Sequence, residues 1–575
     1  MIAVLFTLAA YTPAIGDITK WSTNKQQILV DDGKTEQSFF GKGVSYAPCP
    51  IGGSADYAPF QDFFNKKWES IYKRDIPLLH DMGANLIKVY GWWGFLPTNG
   101  NEWSGAPNNL QKNIDGQLVW NIDDKGDGLT GTLDHTEFLN KLSDNHIYIV
   151  IGIGIDVGNT FDNPDSDKRK MYYEFYKQTA VWAAKKYGNH PAVMGFCLGN
   201  EMNNPTRLQN DDFWQKLNDM ADAVKREAPD KLVTSAWQND PRIFTGAYPM
   251  LDENTHFDFW GMNVYNGKTF GEFWDRLQGL NDRKIYKPIL FTEWGAPTGK
   301  HSPENEPGPP GGNAKVTESS DANHAVAEYL VSLWQDMSND EHRIMCSGGT
   351  VFEWSDEWWK VRVTGTGDNG PQVWLHDASS APASGYPAGK WWEEEWWGLN
   401  SIQTAQGRDP KKPTDDNGNP HDPDKLTQRE GYSRLKCLWT TGKDCIPPKP
   451  NAVISNLVSD LAAASANMYQ LSLSLDAGSH GGSNAAWFLV YIAPYSNGRF
   501  DIYQYDLNNG WGLVTDKITP LMTMPLFSFD SVVLGKSGLP SGLNIFMFGV
   551  DTYNYNSGQF DSDSCYLDVE TIIVP

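Results

Sequence analysis

The run VMGFCLGN (193–200) is followed at once by Glu201-Met202-Asn203-Asn204, and PILFTEW (288–294) carries Glu293 next to its end. Each is a short, almost wholly apolar segment that delivers a carboxylate. Runs of this length suit strands buried on both faces, as in a parallel sheet. Working outward, six more segments have the same character: SFFGKGVSY (38–46), NLIKVYGW (85–92), IYIVIGI (147–153), KLVTSAW (231–237), FDFWGMNVY (257–265) and GTVFEWS (349–355). Helical patterns lie between them. In DDFWQKLNDMADAVKREAP (211–229), Phe213, Trp214, Leu217, Met220, Ala221 and Val224 share one face and Pro229 stops the run. In DANHAVAEYLVSLWQDM (321–337), Val326, Tyr329, Leu330, Leu333, Trp334 and Met337 do the same. Eight strands alternating with helices predict an α/β fold, a (β/α)8 TIM barrel over residues 21–445, with its functional residues at the C-terminal strand ends.

Two regions break the alternation. Residues 355–426 are polar and rich in Gly, Pro and Asp, yet hold WW doublets at 358–359, 391–392 and 396–397. So long an insertion after strand eight is expected to lie over the active-site face. IPPKP (446–450) reads as a stiff linker. Beyond it, YQLSLSL, AWFLVYIA, FDIYQY and LNIFMFGV are separated by Gly, Asn and Ser turns, which predicts a β-sandwich over 451–575. At the other end, MIAVLFTLAA and the following YTPAIG resemble a secretory signal over 1–20, without its usual positive start. The expectation is a secreted or cell-surface protein. No other stretch reads as a membrane span.

Acidic residues number 71 against 47 basic ones, a formal net charge of -24 in 575 residues. Such a field repels nucleic acid and anionic membrane, and leaves a neutral partner unaffected. The chain also holds 24 Trp, 24 Tyr and 26 Phe. Flat aromatic faces can stack on pyranose rings, although large cores use Trp as well. Six Cys are thinly spread and none forms a C-x-x-C pair. Cys437 and Cys445 are spaced for a small local bridge in an oxidising compartment, and Cys197 reads as a small core hydrophobe. Neither a metal nor a cofactor is expected. The acidic loops at 121–128 and 162–168 lack EF-hand spacing, and the glycines of IGIGIDVGN (151–159) do not make a dinucleotide fingerprint.

Two strand-borne carboxylates on one face of a barrel are what glycosidic-bond cleavage needs. One must be neutral to protonate the leaving oxygen, and the other ionised to attack the anomeric carbon. A lone Asn-Glu or Thr-Glu-Trp says little; the joint pattern in register with six other strands says much more. It resembles the clan of (β/α)8 glycoside hydrolases with catalytic Glu on strands four and seven, over roughly residues 38–440, a clan that includes the family 5-like glycosidases. The resemblance implies that Glu201 is the acid/base and Glu293 the nucleophile. It further implies that Asn200 binds the sugar 2-OH and that Tyr265 hydrogen-bonds the nucleophile. WESIYKRDIPLLHDMGANLIKVYG (68–91), after Gly43-Val44-Ser45-Tyr46, resembles β-1,3-glucanosyltransferase-like proteins, which would place Tyr46 in a subsite. Lys88 stands where the clan usually has Arg; it keeps the charge and loses the planar fork. Tyr90, Trp92, Trp93, Trp354, Trp358 and Trp359 follow strands two and eight, where subsites would lie, with Trp354 the expected stacking platform. Glu353 and Asp356 are read as subsite or structural carboxylates.

The expectation is therefore a retaining β-glycoside hydrolase or transglycosidase acting by double displacement on a β-glucan-type polysaccharide or oligosaccharide. Water as second acceptor gives hydrolysis, and a sugar hydroxyl gives transfer. The sequence also leaves open an endo-β-mannanase or cellulase-type hydrolase, or a carbohydrate-binding barrel that no longer catalyses.

Overall fold

The computed structural model describes residues 20–574 outside 54–61, 93–109, 113–117, 121–133, 241–255, 283–286, 302–315, 361–375, 377–379, 383–390, 416–418, 446–450 and the connections between strands beyond 460. Eight strands form a closed barrel: β1 (Gly41–Ser45), β2 (Leu86–Lys88), β3 (Tyr148–Ile153), β4 (Val193–Asn200), β5 (Leu232–Gln238), β6 (Trp260–Asn263), β7 (Ile289–Trp294) and β8 (Cys346–Val351). Every neighbouring pair is parallel, and β8 closes on β1 with Gly349 opposite Lys42. Six of the eight apolar segments contain one of these strands whole; β5 runs one residue past its segment, and β8 begins three residues before its segment and ends at Val351 inside it. Helices α1 (Glu69–Asp81), α2 (Thr136–Asp144), α3 (Ser166–Tyr187), α4 (Asp211–Glu227), α5 (Glu272–Asp282), α6 (Ser320–Ser338) and α7 (Glu430–Thr441) follow the strands.

The reasons for the helices are local. In α4 the Asn210 side chain accepts from the Asp212 amide at 3.0 Å and caps the N-terminus. Asp211 and Asp212 sit in the first turn and Lys225 and Arg226 in the last, both favourable to the helix dipole. The six apolar residues of its stripe are all buried. So are the six of α6.

One feature was not foreseen. Strands Lys20–Thr23, Ile28–Asp31 and Glu36–Ser38 make a small antiparallel sheet ahead of β1. Its Trp21, Ile28 and Val30, with Phe39, join the side chains inside the barrel, among them Leu86, Tyr148, Met194, Leu232 and Leu290, in one buried cluster. The Trp21 ring meets Tyr148 edge-on at 4.8 Å and Phe39 at 5.0 Å. This sheet plugs the N-terminal end of the barrel. Burial of this kind contributes roughly 25 cal/mol per Å² of apolar surface.

After β8 the insertion returns as Asn400–Gln403, paired antiparallel with Lys425–Gln428. Arg429, buried behind it, holds Asp356 through Nη1 and Nη2 at 2.7 and 2.6 Å and Glu318 through Nε at 2.9 Å. A buried cation needs this satisfaction, since an unpaired one would cost several kcal/mol. Cys437 and Cys445 are disulfide-bonded, and Cys49, Cys197 and Cys346 are free and buried.

Residues 445–575, with 319–321, form a second compact unit. Its described residues beyond 450 are all-β, in two antiparallel sheets. One orders Asn451–Asp460, Met468–Asp476 and Phe529–Ser537. The other is built on Asn484–Pro494, flanked by Phe500–Asp506 and Gly542–Asp551. Trp487, Phe488, Leu489, Tyr491, Phe546 and Phe548 are buried in it. Residues 1–19 of the expected signal segment and the 446–450 linker lie outside the described residues, and Lys20 begins the first strand of the small sheet ahead of β1.

Candidate active site

The end of β4 is shaped by its backbone. Gly199 adopts φ +74°, and a Cβ there would stand 2.3 Å from the Met202 sulfur. Glu201, two residues on, is held at φ +50°. A non-Gly residue in this region costs about 1–3 kcal/mol and persists where its surroundings hold it. Here the Glu201 amide donates to the Ala236 carbonyl of β5 at 2.8 Å. The turn aims the side chain over the C-terminal end of the barrel.

A chain of hydrogen bonds joins the two carboxylates. Glu201 Oε1 accepts from Asn263 Nδ2 at 3.0 Å, and that amide also reaches Asn200 Oδ1 at 3.3 Å. Asn200 Oδ1 accepts from Lys88 Nζ at 2.9 Å, and Lys88 Nζ donates to Glu293 Oε1 at 3.0 Å. Four strand ends, β2, β4, β6 and β7, thereby converge on one polar line. Because Asn200 uses its oxygen inside this chain, its amide nitrogen is the group left for a ligand hydroxyl.

Glu293 is 5% exposed and accepts from two further donors, Tyr90 OH at 2.7 Å on Oε1 and Tyr265 OH at 2.9 Å on Oε2. Burial, then the neighbouring Glu293 charge, keeps both phenols well above their usual pKa, so they remain donors. Lys88, 1% exposed, supplies a counter-charge for an ionised carboxylate and lies 3.9 Å from the Tyr90 ring centre. It spans with one ammonium the two acceptors that a planar fork would otherwise bridge. Glu201 has the opposite environment. Burial first, and the Glu293 charge second, raise its carboxyl above the ordinary Glu value, while amide donors from Asn263 and Gln238 pull the other way. Gln238 Nε2 donates to Glu201 Oε2 at 2.8 Å. Two carboxylates with unlike surroundings suit one acid and one nucleophile.

The structure thus brings Asn200, Glu201, Tyr265, Glu293, Lys88 and Tyr90 together. It does not bring the other three. Trp354 was expected as a stacking platform, but it is 0% exposed, enclosed against Tyr46 at 6.5 Å and Tyr432 at 6.2 Å. Tyr46 is equally buried, and its hydroxyl is taken by Asp75 at 3.0 Å. Trp92 stacks on His135 at 4.1 Å inside the core. All three rings are used up in packing and present no face to a sugar. Trp359 packs with Phe63 and Trp68, Trp358 stacks on His376 at 4.8 Å, and Trp93 lies outside the described residues. Asp356 serves Arg429. Glu353 is buried, and burial with the Glu357 charge holds its carboxyl well above the usual range. Of the acidic loops, 121–128 lies outside the described residues. In the other, Asp162 pairs with Arg207 and Asp165 caps α3.

Sequence reasoning missed Gln238, Asn263 and Trp397. The first two had a usable signal, since each ends a barrel strand. Trp397 meets the Tyr265 ring at 5.1 Å and Phe352 at 5.6 Å. It comes from the post-β8 insertion, so its place over the site was visible only in outline.

No family profile matches the chain. Among curated proteins it is 21% identical over 374 residues to 1,3-beta-glucanosyltransferase gas5 of Schizosaccharomyces pombe, covering 61% of each. It is 23% identical over 274 residues to 1,3-beta-glucanosyltransferase GAS5 of Saccharomyces cerevisiae, covering 45% of this chain and 46% of that protein. The chain is similar to 1,3-beta-glucanosyltransferases. This agrees with the resemblance carried by residues 68–91. The chain spans about three fifths of the length of the first of these relatives and less of the second. Among solved structures, Saccharomyces cerevisiae Gas2p in complex with laminaripentaose matches with a TM-score of 0.40 at 14% identity, over 75% of this chain and 71% of that one. The β-glucuronidase from Ruminococcus gnavus matches with a TM-score of 0.42 at 13% identity, over 73% and 52%.

Proposed function

We propose that this protein is a retaining β-glucan transglycosidase, with Glu201 as acid/base and Glu293 as nucleophile. The observation that carries the reading is the continuous line Glu201–Asn263–Asn200–Lys88–Glu293, which holds two carboxylates over one barrel end with the Lys88 ammonium in direct contact with Glu293. In the first step Glu201 gives its proton to the glycosidic oxygen while Glu293 attacks the anomeric carbon. The leaving sugar departs with the proton, and a glycosyl ester forms on Glu293. In the second, Glu201, now a carboxylate, takes the proton of an incoming hydroxyl as that oxygen displaces Glu293. A sugar hydroxyl as acceptor gives transfer, and water gives hydrolysis.

The 1,3-beta-glucanosyltransferase relatives support transfer onto a β-1,3-glucan. A secreted or cell-surface location fits these relatives and the Cys437 and Cys445 disulfide chemistry, which needs an oxidising compartment. The second unit would serve as an accessory binding or structural domain. The test is a product time course on β-1,3-, β-1,4- and mixed-linkage oligosaccharides with Glu293→Gln as control. Products longer than the starting β-1,3 sugar, absent with the variant, are the expected result. Shorter products alone would make it a hydrolase, and binding without any product would defeat the enzymatic reading.

A further inference from the structure

A cavity of about 710 Å³ lies at the N-terminal end of the barrel, remote in the strand direction from the catalytic carboxylates. Its apolar wall is Phe40, Trp334 and Leu438, and its polar rim includes Lys42, Arg343 and Lys443. We propose that it binds a phosphate monoester carried on a flat apolar body.

Three cations at one cavity are unexpected in a chain of net charge -24. None of the three is ion-paired among the described residues. Lys42 Nζ has only the Trp439 carbonyl as acceptor, and Arg343 lies with its guanidinium carbon 4.9 Å from the Phe40 ring centre. The one carboxylate on the rim, Asp444, is already held by Arg434 through Nε at 3.0 Å and through Nη2. Burial, and then the charge of Arg343, lower the Lys42 pKa. A dianion answers that charge better than a monoanion, and guanidinium and ammonium groups are the usual phosphate donors. The partly buried Phe40 ring, backed by Trp334, gives an apolar surface for the organic part of the ligand rather than for free phosphate.

Binding of phenyl phosphate to the full chain, followed by titration calorimetry with phenol, benzoate and inorganic phosphate as comparisons, tests this. Saturable binding of phenyl phosphate is expected, tighter than that of each comparison. It should weaken by about tenfold or more in Arg343→Gln and in Lys443→Gln, a loss of one charge-assisted contact. Both residues are exposed, so the variants should keep the wild-type circular dichroism and glucan turnover. Glu293→Gln should bind phenyl phosphate as the wild type does, which separates this cavity from the catalytic face. Absence of saturable binding, unchanged affinity in both variants, or benzoate binding as tightly as phenyl phosphate would overturn the proposal.

Discussion

The two ends of the barrel are built on opposite principles. At the C-terminal end Lys88, Asn200, Asn263 and Glu293 lie at or next to the strand ends, and their polar atoms hold one another and Glu201 in a largely buried line. At the N-terminal end Trp21, Ile28, Val30 and Phe39 seal the interior with hydrocarbon and aromatic contacts. A buried polar line is worth little to stability, because desolvating its charges offsets their attraction. An apolar plug is worth a good deal, and does no chemistry. On the proposed reading the same eight strands carry activity at one end and stability at the other, and substitutions at the two ends should separate these properties.

The largest expected effect breaks the polar end. Glu293→Gln should lower transglycosylation by roughly 10⁴-fold or more, as removal of a nucleophile does, while the melting temperature stays close to wild type. Rate assays and calorimetry on the same preparation check both halves. At the apolar end the outcome should invert. Trp21→Ala should destabilise the barrel by about 3–5 kcal/mol in urea unfolding and leave kcat of the folded fraction unchanged. A large fall in kcat with no loss of stability would erase the distinction between the ends.

Lys88 tests whether the polar line acts as a unit. Lys88→Met leaves Glu293 and Asn200 without their shared donor and should cost about 3–5 kcal/mol across kcat/KM and stability together. Lys88→Arg should restore most of the activity, because charge and reach are kept. Failure of Arg to rescue would mean that the ammonium geometry itself matters.

The smallest effect concerns pH. In the proposed mechanism transfer requires a protonated Glu201, whose pKa is raised by burial and by Glu293, so activity should fall as pH rises through that raised value. The Gln238 amide opposes the shift. Gln238→Ala should therefore move the alkaline limb of kcat/KM to higher pH, and a limb that moved down would contradict the acid role of Glu201.

Much of the polar end was legible because barrel strands advertise themselves as apolar runs and a carboxylate at the end of one stands out. Glu201 and Glu293 were visible in this way, and Tyr265, Lys88 and Tyr90 followed from the resemblance or from their place after a strand. Gln238 and Asn263 occupied equally informative positions, yet an amide is common at strand ends and carries no chemical signature alone. Trp354 was misjudged for a different reason. It was read at the end of a strand over 349–355, but β8 ends at Val351, and the segment around Trp397 and Leu399 folds back on it, with the Leu399 amide donating to the Glu353 carbonyl at 2.7 Å. A segment so far along the chain cannot be placed by periodicity. The N-terminal plug escaped notice because its strands, of four, four and three residues, are too short to show a period.

The sequence by itself determined the alternation of strands and helices, and hence the barrel and the two glutamates at its C-terminal end, because periodicity and burial are local consequences of side-chain chemistry. Tertiary structure alone decided which aromatic rings stay buried, which amides tie the carboxylates together, and where unpaired cations gather. Those outcomes depend on which distant segments meet, and a one-dimensional pattern holds no distances between them.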